Sequence, residues 1–173
     1  PAKSIINPSL VGYAPNPTFA NVPVAGDTEG AKKLLAEAGV SLPVKIKYTY
    51  SGGTPTSDKS AAALKAGWDK AGFETTLDPL SDTYYDVIQN PASQFDVAWG
   101  GWGADWPSAS TVIPALFDSR LNITEKSNGQ DYGNYASDAV NKAIDDAANM
   151  SDIASAGAAY AKIDATLGQD TAY

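Results

Sequence analysis

The stretch FDVAWGGWGADWPSAS, residues 95–110, combines two aspartates, Asp96 and Asp105, with unusual aromatic content. It holds three of the chain's four tryptophans, Trp99, Trp102 and Trp106, together with Asp105 and three glycines. Indole faces beside a fixed carboxylate suit a cationic ligand, through charge-assisted hydrogen bonds and cation–π contacts. Glycines would let the backbone approach that ligand closely. We therefore predict a ligand-binding turn made of Gly101, Trp102, Gly103, Ala104, Asp105 and Trp106.

Structural roles for the same residues compete with this interpretation. Asp105 could instead be the N-cap of a helix that starts after Pro107. Strand alternation favours Trp99 as a core residue. An enzyme that pairs Asp96 with Asp105, as a glycosidase pairs its carboxylates, is disfavoured. The two residues are nine positions apart in sequence, which is about 30 Å in an extended chain.

Composition excludes several classes of function. The 173 residues carry a net charge of −8, and Arg120 is the only arginine. A chain of this charge lacks the basic face that nucleic-acid binding needs. It also lacks cysteine and histidine, which excludes disulfides, the usual zinc sites and histidine-based triads. We therefore expect no cofactor and no nucleic-acid partner.

The elements before the turn alternate between helix and strand. Strands are predicted over 43–50, 73–80 and 95–102, the first with one solvated face. Helices are predicted from an N-cap at Asp27 to a stop at Gly39, over 58–71 and over 83–89, with a loop at 51–57. Strands separated by helices pair in parallel through right-handed crossovers. Ligands of such sheets bind beyond the carboxyl ends of the strands, where the tryptophan-rich turn begins.

The remaining residues predict helices and loops around this α/β layer. A helix over 111–117 with a break at Pro114 precedes a polar loop over 119–135. A helix capped by Ser137 and a last helix follow. Their apolar stripes comprise Val140, Ala143, Ile144 and Ala147, and then Ile153, Ala156, Tyr160, Ile163 and Leu167. We predict that residues 1–26 form an extended surface segment. Their sequence resembles a stretch from the middle of a longer chain.

Three segments together resemble a known family. They are DTEGAKKLLAEAGV, FDVAWGGWGADWP and YGNYASDAVNKAIDDA, and they follow one another in the family's order and spacing. The family comprises the large bacterial extracellular solute-binding proteins that serve ABC transporters for peptides and related solutes. The likeness covers nearly the whole chain.

The resemblance implies both a fold and a function. The fold would be an α/β, periplasmic-binding-protein-like (type II) lobe with a mixed or parallel sheet flanked by helices. Residues 1–173 would be a single C-terminal lobe, with 27–173 forming its α/β core and C-terminal helices. The whole protein would be a non-enzymatic binding component that holds short peptides in an inter-lobe cleft and delivers them to permease subunits. In peptide-binding members, the aspartate that matches Asp105 holds the peptide's α-amino group.

The same resemblance implies a location outside the cytoplasm. The protein would lie at the cell surface or in the periplasm, with membrane association only through a lipid anchor outside this chain. Other functions remain open at this point. The same fold could bind an oligosaccharide stacked on Trp102 and Trp106, or could serve only to dock on a receptor.

Overall fold

The computed structural model describes residues 2–173, which form two compact units. The sheet unit comprises Val22–Ile88 and Ala92–Gly100, and the helical unit comprises the described residues up to Asn21, Gln89–Pro91 and Gly101–Tyr173. The helices are α1 Pro17–Ala20, α2 Thr28–Glu37, α3 Pro55–Lys70, α4 Tyr84–Ile88, α5 Ile113–Phe117, α6 Ser119–Asn122, α7 Asp138–Ala148 and α8 Ile153–Gln169. No helix within residues 2–173 combines the length and the apolar character that a membrane crossing requires.

Three parallel strands form the sheet, which confirms the predicted α/β class. They are β1 Val44–Ser51, β2 Phe73–Leu80 and β3 Val97–Ala98, in the order β2-β1-β3. β1 and β2 pair along their whole length. β3 is far shorter than the predicted 95–102, since its pairing with β1 covers two residues.

The N-terminal cap of α2 is confirmed, whereas its apolar stripe is largely exposed. The carboxylate of Asp27 accepts the amide of Gly30 at 2.9 Å, and Gly39 takes a positive φ of 69° just after the helix. Both features follow from local capping chemistry. Leu34 is nevertheless 67% exposed. The sequence periodicity therefore located the helix correctly without showing how little of it is covered within this chain.

The loop after β1 is shorter than predicted because α3 begins at Pro55. The hydroxyl of Thr54 caps the helix by accepting the amide of Ser57 at 3.2 Å. Proline suits the first helical turn, where its missing N–H needs no partner. Pro55 therefore starts a helix here, and only residues 52–54 connect it to β1.

Aromatic packing forms the core of the sheet unit. Tyr48 stacks on Tyr50 with ring centroids 5.4 Å apart and meets Trp68 edge-on at 5.1 Å. Thr49 alternates with Tyr48 and Tyr50, which would place it on the predicted solvated face of β1, but it is fully buried and donates its hydroxyl to Asp78 at 2.9 Å. The reason is position, since β1 is the central strand and its polar side chain finds a partner on β2.

The helical unit surrounds an apolar core supplied by α5, α7 and α8. Ser137 caps α7 as predicted by accepting the amide of Val140 at 3.3 Å. Ile153 was placed on the buried stripe of α8, but it is 72% exposed at the first residue of that helix. The core residues are Ile6, Ala109, Val112, Ile113, Leu116, Phe117, Val140, Ile144, Ala147, Tyr160, Ile163 and Leu167.

Two other predictions in this unit are corrected. The break in 111–117 precedes Pro114, because a 3-10 turn over Ala109–Thr111 ends at Val112 and Pro114 lies in the first turn of α5. The loop predicted over 119–135 contains α6, whose N-cap Asp118 accepts the amide of Arg120 at 3.0 Å. Short capped turns of this kind carry too little apolar periodicity to be recognised from sequence.

The N-terminal segment is anchored rather than confined to the surface. Ile6 is 1% exposed and belongs to the core of the helical unit. Asn16, also 1% exposed, donates its amide to the carbonyl oxygen of Asp164 in α8 at 2.6 Å. The prediction of an extended surface segment over 1–26 is therefore wrong at these positions, and Pro1 lies outside the described residues.

Candidate functional site

The tryptophan-rich turn belongs to the helical unit, where the N-terminal segment fixes one end of it. Val11 forms a parallel bridge with Ser108, donating its amide to the carbonyl of Pro107 at 3.0 Å. Its own carbonyl accepts the amide of Ala109 at 2.8 Å. Ala109 is fully buried. The residues that follow Asp105 are therefore held by main-chain bonds and by the core.

Thr111 connects the turn to this fixed end through three hydrogen bonds. Its hydroxyl donates to Oδ2 of Asp105 at 3.0 Å and accepts the Asp105 amide at 3.3 Å. Its carbonyl accepts the indole N–H of Trp102 at 2.8 Å. Thr111 itself is only 3% exposed. The carboxylate of Asp105 and the indole of Trp102 are thus hydrogen-bonded to the same buried residue.

The second indole is held by a hydroxyl pair next to Thr111. Trp106 donates its indole N–H to the hydroxyl of Ser110 at 2.9 Å, and that hydroxyl bonds to the hydroxyl of Ser108 at 3.0 Å. Ser108 is also the N-cap of the 3-10 turn, since it accepts the amide of Ser110. Polar edges of both tryptophans are therefore satisfied by protein.

All six predicted site residues lie on the surface of the helical unit. Trp102 is 39% exposed and Trp106 is 52% exposed, so each indole offers apolar surface to a ligand. Within residues 2–173, Oδ1 of Asp105 receives no hydrogen bond, while Oδ2 receives the Thr111 hydroxyl. An exposed aspartate close in sequence to two anchored, partly exposed indoles can accept a charge-assisted hydrogen bond from a cation.

Gly103 has no steric reason to be glycine within the chain. Its φ lies outside the left-handed region, and a Cβ built at this position meets no atom of the described residues within 4 Å. Glycine is required only where the backbone is strained or where another group approaches closely. The prediction that a ligand approaches this backbone is consistent with that geometry and remains a prediction.

Two competing interpretations of the segment are wrong. Asp105 does not cap the helix after Pro107, because Ser108 does. Trp99 is not a core residue, since it is 51% exposed and lies beyond the two paired residues of β3. Its backbone carbonyl accepts the hydroxyl of Tyr84, within the sheet unit.

Asp96, the other acid considered for catalysis, has a structural role. Its carboxylate accepts the backbone amide of Lys47 at 2.7 Å, and its amide donates to the carbonyl of Lys47 at 3.1 Å. These bonds extend the pairing of β1 with the approach to β3. The backbone amide and the backbone carbonyl of Lys47 therefore both have hydrogen-bond partners.

Arg120, the one arginine, is bound within the protein. Its guanidinium contacts Asp118 and Asp145, each at 2.8 Å, which holds the pKa of both carboxyls below the ordinary value. Asp118 is buried, so the ion pair also compensates its desolvation. We therefore assign this cluster to structure. Within residues 2–173, no group of three or more acidic side chains is placed to hold a metal ion.

Sequence reasoning missed Thr111 and Ser110 as site residues. It placed Thr111 at the start of a helix, whereas the residue orients Asp105 from six positions away. The available signal was the hydroxyl-rich run SAST at 108–111, directly after the aromatic turn. Ser and Thr at such positions bond to neighbouring backbone and side chains.

Comparison with known proteins places these observations in a family. The family model for bacterial extracellular solute-binding proteins, family 5 Middle, matches residues 1–122. The periplasmic oligopeptide-binding protein OppA of Haemophilus influenzae is 30% identical over 159 residues. That alignment covers 89% of this chain and 28% of the relative, so the chain spans less than a third of that protein's length.

Solved structures show the same fold. The crystal structure of Haemophilus influenzae OppA in complex with RPPGFSPFR aligns with a TM-score of 0.68 and 28% identity, covering 89% of this chain and 29% of that one. The periplasmic binding protein DppA from Helicobacter pylori, in complex with the peptide STSA, aligns with a TM-score of 0.80 and 23% identity. That second alignment covers 99% of this chain and 32% of the other. The predicted periplasmic-binding-protein-like α/β fold is confirmed by these matches.

Proposed function

Because the chain belongs to the bacterial extracellular solute-binding proteins of family 5, we propose that it forms most of one lobe of a two-lobed peptide-binding protein. The whole protein binds short peptides in a cleft between its lobes and delivers them to the permease of an ABC importer. It acts at the cell surface or in the periplasm, where a lipid anchor outside these residues attaches it to the membrane. Residues 1–173 all belong to a single lobe, the C-terminal one.

Asp105 is the residue that pairs with the peptide's amino group. The observation that supports this role is the carboxylate itself, exposed, oriented by Thr111 and carrying one oxygen without a hydrogen bond from the described chain. Trp102 and Trp106, its neighbours in sequence, have partly exposed rings. Gly101, Gly103 and Ala104 supply backbone that a peptide can approach closely. A closing second lobe would remove water from this surface and strengthen the ion pair.

Two relatives support a peptide as the ligand. The Haemophilus influenzae structure contains RPPGFSPFR, and the Helicobacter pylori structure contains STSA. An oligosaccharide stacked on Trp102 and Trp106 is the second candidate, which the partly exposed indoles allow. The hydroxyls of a neutral sugar can donate to a carboxylate, but only the peptide's ammonium group adds an opposite charge, so the presence of Asp105 favours the peptide.

Calorimetry on the full-length protein tests the role of Asp105. A tripeptide with a free amino terminus and its N-acetyl form are titrated into the wild type and into Asp105→Asn. We expect the substitution to weaken the free-amine peptide at least about 30-fold, roughly 2 kcal/mol, because it leaves the ammonium ion without its countercharge. The N-acetyl form should bind both proteins equally weakly.

A matched variant controls for net charge. Asp146→Asn removes the same charge from an exposed position on α7, where the only ionic partner of the carboxylate among residues 2–173 is Lys142. It should bind both peptides as the wild type does. Equal affinity of Asp105→Asn and the wild type for the free-amine peptide would remove Asp105 from the site. Binding of neutral oligosaccharides in place of peptides would favour the second candidate.

A further inference from the structure

Thr111 joins the two chemically different parts of the candidate site. Its side-chain hydroxyl contacts Asp105 twice, and its backbone carbonyl contacts the indole N–H of Trp102. The residue cannot easily change position, because it is 3% exposed and its amide donates to the carbonyl of Ser108 at 3.2 Å. One buried residue therefore fixes both a surface carboxylate and a surface indole.

We propose that Thr111 is the positioning residue of the amine-binding site, acting on ligand affinity only through Asp105. This inference rests on the proposed function, in which Asp105 pairs with a peptide's amino group. The hydroxyl is used as donor and acceptor at once, since it donates to Oδ2 and accepts the Asp105 amide. The side chain and the backbone of Asp105 are thus tied to the same atom.

This arrangement presents one carboxylate oxygen to the ligand in a fixed position. A hydroxyl that donates to Oδ2 restricts rotation of the carboxylate, and Oδ1 remains available to an ammonium ion. Holding a binding group in its bound geometry raises affinity by reducing the ordering that binding requires. Without the hydroxyl, an exposed aspartate would sample several rotamers.

The two contacts of Thr111 can be separated by substitution. Thr111→Val removes the hydroxyl while keeping the branched shape and the carbonyl that holds Trp102. Thr111→Ser keeps the hydroxyl and removes only a methyl group. Amine recognition should respond to the first change and not to the second, and aromatic contacts should respond to neither.

The test is a double-mutant cycle in the full-length protein, with trialanine and N-acetyl-trialanine as probes. We expect Thr111→Val to weaken trialanine about tenfold, because a hydrogen bond to a charged group is lost. It should leave N-acetyl-trialanine unchanged, and Thr111→Ser should bind both within about twofold of the wild type. In the Asp105→Asn background, Thr111→Val should have no further effect on trialanine, since the negative charge that Thr111 positions is absent.

Different results overturn different statements. If Asp105→Asn lowers trialanine affinity and Thr111→Val lowers it additively, Thr111 does not act through Asp105 and this inference fails alone. If Asp105→Asn has no effect, or the wild type binds neither probe, the proposed function fails and the inference fails with it. A loss of both probes' affinity to the same extent in Thr111→Val would indicate a purely structural role.

A second variant tests the same inference without changing the buried residue Thr111. Asp105→Glu keeps the charge on an exposed side chain but moves the carboxylate by one methylene, away from the geometry that Thr111 fixes. We expect trialanine affinity to fall about tenfold. Wild-type affinity in Asp105→Glu would show that the fixed position is unimportant and would overturn the inference even if Thr111→Val fails to fold.

Discussion

Replacing Asp131 by asparagine should remove a pH dependence from the stability of the protein. Asp131 is 2% exposed, in the turn before α7. Its Oδ1 accepts the amide of Tyr135 at 3.1 Å, while its buried Oδ2 has no hydrogen-bond partner among residues 2–173. Burial raises the pKa of Asp131 from 3.8 to about 6, although amides of Tyr135, Gly133 and Asn134 oppose the shift.

The sign of the effect follows from comparing the two states. Below about pH 4 the carboxyl is protonated in the folded and the unfolded chain, so burial carries no charge penalty. Between pH 4 and 6 the unfolded chain loses the proton first, and folding has to take it up again. Stability therefore falls as pH rises through this window and is constant above it. A difference of about two pKa units corresponds to roughly 3 kcal/mol.

Urea denaturation of wild type and Asp131→Asn at pH 4, 5, 6 and 7.5 measures this quantity. We expect the stability of the variant relative to the wild type to increase by about 2–3 kcal/mol from pH 4 to pH 7.5. Asp152→Asn is the control, because hydrogen bonds from Ser155 lower the pKa of Asp152. Its pH dependence lies near and below pH 4, with the opposite sign. A constant difference between wild type and Asp131→Asn across the range would refute the reasoning.

Two further predictions concern close approach and capping. Gly157→Ala should lower the free energy of unfolding by about 1–3 kcal/mol, because a Cβ there would lie 2.9 Å from Cγ1 of Val11. Gly103→Ala, whose Cβ meets none of the described residues within 4 Å, should change the free energy of unfolding by less than about 0.5 kcal/mol, and equal effects in the two variants would contradict the packing argument. Thr54→Ala should lower the free energy of unfolding by about 1 kcal/mol, because it removes the hydroxyl that caps α3 by accepting the Ser57 amide. Thr54→Ser keeps that hydroxyl and should change the free energy of unfolding little. Urea denaturation checks this pair, and an equal loss in the serine variant would show that the hydroxyl is not responsible.

Local chemistry made much of the fold predictable from sequence. Asp27 and Ser137 cap their helices with the hydrogen bonds that their types and positions indicate. The parallel sheet follows from strands alternating with helices, which admits few topologies. These features depend on residues within a few positions of one another, so a single sequence contains the necessary information.

Features that depend on distant contacts were not predictable in the same way. Ile6 enters the core of the helical unit, and Asn16 bonds to α8 about 150 positions later in the chain. A proline-rich segment without periodicity gives no sign of such anchoring. Pro55 lies within the predicted loop over 51–57, but proline in the first turn of a helix starts helices as well as ending them.

The candidate site also has a part that is predictable from sequence and a part that is not. The residue types around Asp105 indicate a cation-binding surface, and the structure places the acid and both indoles on the surface of one unit. The role of Thr111 depends on a turn that brings residues six positions apart into contact. No helical or strand spacing corresponds to that separation, so only the folded backbone reveals it.

A crystal structure of the full-length protein with a bound free-amine peptide tests the central claim most directly. We expect the peptide's ammonium nitrogen within about 3 Å of Oδ1 of Asp105, with the Thr111 hydroxyl still bonded to Oδ2. An ammonium group paired with a different carboxylate, with Asp105 left in solvent, would contradict it.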